Sequence, residues 1–172
     1  MSFKKTIFLF LLASFLSFGF MINDRQNYFL EVQSLNQVGD TLRKIKNEAF
    51  KRGEKLKYRM HYGFINAGEM LVQVLDDNKL IGGRNTLHIL GLGYTNSSFD
   101  WFFMVRDKYE SYIDEEALVP WLFVRRVQEG GYKLEQNQIF NHYKNTMDMD
   151  GKKFDVPDNV QDMISAFYFA RT

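Results

Sequence analysis

From Glu54 onward the chain repeats with a period of two. Leu56, Tyr58, Met60 and Tyr62 alternate with Lys55, Lys57, Arg59 and His61. Successive side chains of a strand point to opposite faces, so this spelling describes a half-buried strand with one apolar and one charged face. Gly63 and the 66–68 stretch supply a turn, and 69–75 reads as the return strand. Asp76-Asp77-Asn78 and Gly82-Gly83 punctuate the next connection, and 86–94 is a third strand that Gly91 and Gly93 would bend. Strands follow at 109–113, 121–127 and 132–140, with Gly130-Gly131 as a tight hairpin between the last two. Strands this regularly spaced, without intervening helices, predict an antiparallel meander rather than a βαβ fold. The expected fold is therefore mainly β: a curled, half-barrel-like sheet, aromatic on one face and charged on the other. A C-terminal amphipathic helix should cover it. Val160, Met163, Ile164, Phe167 and Tyr168 carry the helical spacing, and Asp158 with Gln161 offers a capping box.

The N-terminus carries a different message. Lys4-Lys5 precede a mostly apolar run to Met21, and the first acid is Asp24. That is the layout of a secretory signal, with Ser17 and Gly19 small enough for the cleavage site. An uncleaved anchor in the inner membrane is the alternative. The expected organisation is a signal at 1–19, a lead-in at 20–46 with a short helix or irregular course, and a β-rich domain at 47–172. The expected location is the periplasm or cell envelope. Without residues 1–19 the chain keeps 20 basic against 21 acidic side chains. That balance gives no electrostatic reason to expect nucleic acid as partner. The chain has no cysteine, so neither disulfides nor a cysteine-linked lipid is available, and burial must stabilise the fold. The material for burial is there: 17 Phe, nine Tyr and two Trp.

A series of phrases then carries a resemblance. Gly53-Glu54-x-Leu56-x-Tyr58 is followed by Tyr62-Gly63-x-Ile65-x-Ala67-Gly68-Glu69, Gly83-Arg84-x-Thr86-x-His88-Ile89 and Gly91-x-Gly93-x-Thr95. Phe99-Asp100-Trp101-Phe102, Val105-Arg106-Asp107-x-Tyr109-Glu110-Ser111-Tyr112, Pro120, Glu129-Gly130-Gly131-Tyr132 and Asp162-x-x-Ser165-Ala166-x-Tyr168-x-x-Arg171 complete the order. From about residue 47 to the end, the chain resembles the exported domain of unknown function 3108, in the form common in Bacteroidetes. The resemblance implies an exported β-rich protein without an established activity. It also implies further strands beyond the last helix, so the reading frame is expected to be truncated at its C-terminal side.

Residues for chemistry are sparse. His61, His88 and His142 form no metal-ligand spacing, and no cysteine supports them. No catalytic residue, metal or cofactor is expected. There is no Gly-x-Ser-x-Gly elbow, and Gly91-x-Gly93 lacks the context of a phosphate loop. Arg106, Asp107 and Glu129 read as structural polar residues, with Arg106 or Arg125 bridging to Asp107 or Glu129. The aromatic patch at Phe99, Trp101, Phe102 and Phe103, with Trp121 and Phe123, suits either core packing or an apolar ligand site. The expected lining set is Tyr58, Tyr62, Tyr94, Trp101, Phe102 and Trp121. The expected function is non-enzymatic binding of a lipid, an acyl chain or an apolar segment of an envelope protein, with membrane contact otherwise limited to the signal. The alternatives are an envelope hydrolase using His61 or His88 with a carboxylate from a neighbouring strand, a reading that convergence with Asp107 or Glu129 would favour, and a structural module that pairs through an edge strand.

Overall fold

The computed structural model describes residues 42–172. The expected signal at 1–19, and the lead-in at 20–46 except its last residues, lie outside the described residues. Nine strands form one antiparallel sheet: β1 (Lys55–Tyr62), β2 (Ile65–Val74), β3 (Lys79–Ile81), β4 (Arg84–Thr95), β5 (Arg106–Asp114), β6 (Pro120–Glu129), β7 (Tyr132–Asn141), β8 (Thr146–Met149) and β9 (Lys152–Asp155). Neighbours follow chain order, β1-β2-β4-β5-β6-β7-β8-β9, with β3 beside β4. The sheet is curled and does not close on itself. A four-residue helix, α1 (Ser97–Asp100), interrupts the β4–β5 connection, and α2 (Met163–Phe169) follows the last strand. The expected mainly β meander with a C-terminal helix is thus what forms.

The alternation that identified the strands does not divide the sheet into an aromatic and a charged face. Both faces bury apolar clusters. Ile89, Ser111 and Phe123 are registered on one face; His88, Tyr112, Leu122 and Ile139 are registered on the other. The first face carries the larger cluster, in which Val72, Ile89, Ile113, Phe123 and Phe140 meet Ile164 and Tyr168 of α2, with Phe50 from the segment that precedes β1. The second buries Ile81, Tyr112, Trp121, Leu122 and Ile139 beneath Leu42 and Tyr143. Residues 42–54 contain no helix, and their course is irregular.

Burial is graded along the strands. On β5 it deepens from exposed Arg106 to fully buried Ser111–Asp114, and β6 is buried over Pro120–Phe123 and opens toward Glu129. β4 is buried at Thr86–Ile89 and β7 at Ile139 and Phe140, each at the same end of the sheet. We call this the capped end. Here Asp114, buried at the end of β5, accepts from Arg84, from the Ala117 amide at 2.8 Å and from the Trp121 indole at 3.1 Å. Burial raises the Asp114 carboxyl, but Arg84, the Ala117 amide and Trp121 outweigh it and hold the group below the ordinary carboxylate range.

The start of α2 departs from expectation. Asp162 is the cap, not Asp158. Its Oδ1 accepts the amides of Ile164 at 2.7 Å and Ser165 at 2.8 Å, while Ser165 Oγ accepts from the Asp162 amide at 2.8 Å. Asp158 instead accepts from Asn145, and Gln161 donates to the Leu118 carbonyl at 2.9 Å. The reason is tertiary. Ser111 Oγ of β5 donates to Asp162 Oδ2 at 2.6 Å, so the helix begins where the chain reaches the sheet. Burial raises the Asp162 carboxyl against the pull of these donors. At the far end of α2, Arg171 forks onto Glu54 at 2.6 and 2.8 Å and lies over the rings of Phe50 and Tyr168.

Candidate functional site

Three connections meet at the opposite end of the sheet. Gly63, with φ of 60°, supplies the left-handed first position of the two-residue β1–β2 turn, which leaves Phe64 at the tip. The β4–β5 connection is tied to this hairpin: the Asn96 amide donates to Ala67 O at 3.0 Å and Asn96 Nδ2 to Asn66 O at 2.8 Å. Its neck is closed by the Val105 amide donating to Thr95 Oγ1 at 3.0 Å. The β6–β7 turn joins through the Gly130 amide, which donates to Met104 O at 2.7 Å. A methyl group on Gly130 would stand 3.0 Å from the Phe103 ring, so glycine lets that ring lie against the turn.

The backbone of this end is therefore well bonded, while its large side chains are bare. Phe64 is 107% exposed, Trp101 84%, Phe102 74%, Ile65 57%, Tyr132 55% and Phe103 49%. Trp101 and Phe102 form an edge-to-face pair with centroids 5.9 Å apart. Residues 63–66, 96–105 and 130–132 contain one charged residue, Asp100. It is neutralised in place by Arg106, whose Nη2 donates to Oδ2 at 2.6 Å and Nη1 to Oδ1 at 3.1 Å, and Thr95 Oγ1 donates at 2.7 Å. Arg106 and then Thr95 hold its carboxyl below the usual carboxylate range. An exposed apolar group of this size, on loops fixed by main-chain bonds, is the mark of a contact surface.

The expected lining residues do not assemble at one place. Trp101 and Phe102 are together at this loop end. Tyr58 is partly exposed opposite Met70, on the face that carries α2. Tyr94 is on the other face and donates to Glu69 Oε2 at 2.8 Å. Trp121 is buried at the capped end. Tyr62 ends β1, and its side chain lies outside the described ones. The aromatic patch is thus neither core nor the wall of one pocket. Trp101–Phe103 are on the surface, while Trp121 and Phe123 belong to the two buried clusters. Phe64, Ile65 and Tyr132 escaped the sequence reading, although a Gly-Phe turn between two strands is a signal that a large apolar residue occupies the tip.

Two hollows lie elsewhere. One of about 610 Å³ is bordered by residues 47–54, and one of about 340 Å³ by Leu92, Gly93, Tyr94, Arg106, Asp107 and Lys108.

The polar residues also take other partners than expected. Arg106 bridges to Asp100, because the β4–β5 loop folds back over it. Asp107 points to the opposite face and accepts the Gln128 amide at 3.0 Å. Arg125 donates to Gln136 at 3.3 Å, and Glu129 pairs through its backbone with Val105. His88 is buried between two carboxylates, with Nδ1 2.8 Å from Asp77 and Nε2 3.2 Å from Glu110, and its ring is stacked on Tyr112. Both nitrogens are occupied, so neither is turned toward a substrate as a general base requires. Burial raises Glu110, but His88 and Lys108 prevail and bring it down to about 2. His142 Nε2 meets Pro120 O at 2.7 Å, and His61 is exposed on β1. No histidine meets Asp107 or Glu129; the neighbouring-strand carboxylate that His88 meets is Glu110 of β5. Among the described residues no group of three or more His, Cys, Asp or Glu side chains could hold a metal ion. The edge strands carry Lys55, Lys57 and Arg59 on β1 and Lys152 and Lys153 on the short β9. Lysines at an edge discourage strand addition.

A family described as "Protein of unknown function (DUF3108)" matches residues 57–172. No curated protein and no solved structure matches the chain.

Proposed function

We propose, for a chain that belongs to the DUF3108 family of proteins of unknown function, a non-enzymatic binding role in the cell envelope. The surface that binds is the loop end, and what it takes is apolar: a lipid, an acyl chain or an apolar partner segment. The observation that carries this reading is the exposure of Phe64, Trp101 and Phe102 on loops tied to one another by main-chain hydrogen bonds. Leaving such residues in water has no structural return, since the clusters at the capped end are complete without them. Export rests on Lys4-Lys5 and the apolar run that follows.

The chain contains its own reporter. Of its two tryptophans, Trp101 is exposed and Trp121 is buried. Addition of dodecylmaltoside should shift the emission of Trp101 to the blue, and Phe64→Ser/Phe102→Ser should suppress the shift. Emission that stays unchanged in wild type at saturating detergent would overturn the reading.

A further inference from the structure

We infer that the loop end is a bilayer-contact tip, which inserts Phe64, Trp101 and Phe102 into the interfacial region of a lipid surface. This rests on the binding role proposed above and names its partner. It adds a membrane contact distinct from that of the N-terminal segment.

Shape favours a lipid surface over a peptide. An apolar peptide segment is taken by a groove or by an open strand edge. Here the side chains stand on turn tips and project outward from the ends of β1–β2, β4–β5 and β6–β7. A bilayer interface accepts protruding groups without requiring a complementary cleft. Its preferred residues are the amphipathic aromatics found here, Trp101 and Tyr132, alongside phenylalanines.

Desolvation also permits it. A tip that enters the interface must not carry a bare charge. Asp100 is the one charged residue in the three connections, and Arg106 and Thr95 supply three donors to it. The amides of Asn96, Phe102, Phe103 and Gly130 are spent on Ala67, Phe99 and Met104, and Asn96 Nδ2 on Asn66, which lowers the number of amides that insertion would strand. Among the described residues no helix is long and apolar enough to cross a membrane. With the tip charge cancelled, attraction to anionic headgroups contributes little. Binding should depend on apolar burial and hardly on salt.

The test uses the protein as isolated from the envelope fraction, its N-terminus fixed by mass, and vesicles of phosphatidylcholine with or without bromine on the acyl chains. Wild type should sediment with the vesicles, with Trp101 emission shifted to the blue and quenched by the brominated chains. Phe64→Ser/Phe102→Ser, which removes two exposed side chains, should weaken partitioning by at least about tenfold. Raising salt should leave wild-type binding within about twofold. If dodecylmaltoside shifts Trp101 but vesicles neither shift nor quench it, the lipid-surface inference fails while the binding role stands. If neither probe shifts it, both fail. If vesicles bind the double variant as well as wild type, the contact belongs to another part of the chain and the inference is overturned.

Discussion

The two ends of the sheet are built from the same strands and obey opposite rules. At the capped end both faces bury apolar clusters, although Leu80 of β3 stays exposed, and Asp114 is held by Arg84, Ala117 and Trp121 and Asp162 by Ser111 and Ser165. At the loop end the main chain is equally well bonded, yet Phe64, Trp101 and Phe102 face water. Apolar exposure is therefore not a symptom of loose structure here. Stability resides at one end, and the other is free to be shaped by contact with something else. That separation is common where binding residues sit on loops positioned by a rigid scaffold.

The sharpest way to break this contrast is to substitute one tryptophan at each end. Trp121→Ala removes a buried indole and its bond to Asp114, and should cost about 3–5 kcal/mol in urea unfolding. A loss under about 1 kcal/mol would mean that the capped end does not carry the fold. Next in size is Ser111→Ala, which leaves Asp162 Oδ2 without the Ser111 hydroxyl in a buried site. It should cost about 1–3 kcal/mol and loosen α2, read by amide exchange at Ile164 and Ser165. Glu110 sharpens the comparison through pH. Its folded value of about 2 lies below the ordinary 4.5, so its ionisation stabilises the fold above pH 4.5. That contribution is lost as pH falls through about 2. Stability of Glu110→Gln should therefore vary less than wild type across this window, and parallel curves would show that the His88 cluster is not coupled to folding. The smallest effect belongs to the loop end. Trp101→Ser should change stability by no more than about 0.5 kcal/mol. A cost of several kcal/mol would make the tip part of the core after all.

Much of the fold was legible because period two is a direct statement about faces. It placed the six long strands and located β1 within one residue of its observed start. Three short strands escaped. β3 is three residues long and hidden between turn signals. β8 and β9 were missed although Asp150-Gly151, both with positive φ, form a hairpin turn that the residue pair itself announces. The helix cap went to Asp158 because local spacing allowed it, while the choice of Asp162 depends on Ser111, 51 residues away. The site was legible only in part. Alternation reports which face a residue occupies, but not how far along the strand the cover reaches. Tyr58, Tyr94, Trp101 and Trp121 share aromatic character and differ in height and face, which no local pattern records. Phe64 could have been read from Gly63, since a turn with glycine first must display its second residue.

The tie between Arg171 and Glu54 has a consequence in time. The meander pairs each long strand with one made shortly before, so the sheet can assemble in the order of synthesis, with low contact order. The Arg171–Glu54 fork joins positions 117 apart, and the rings of Phe50 and Tyr168 meet in the same place. A chain that emerges N-terminus first can thus lay down its strands as they arrive, yet the face under α2 stays unsealed until residue 171 is delivered. Assembly of the sheet and sealing of its larger core are successive events, and the interval between them is when this chain is most exposed to proteases and to its neighbours.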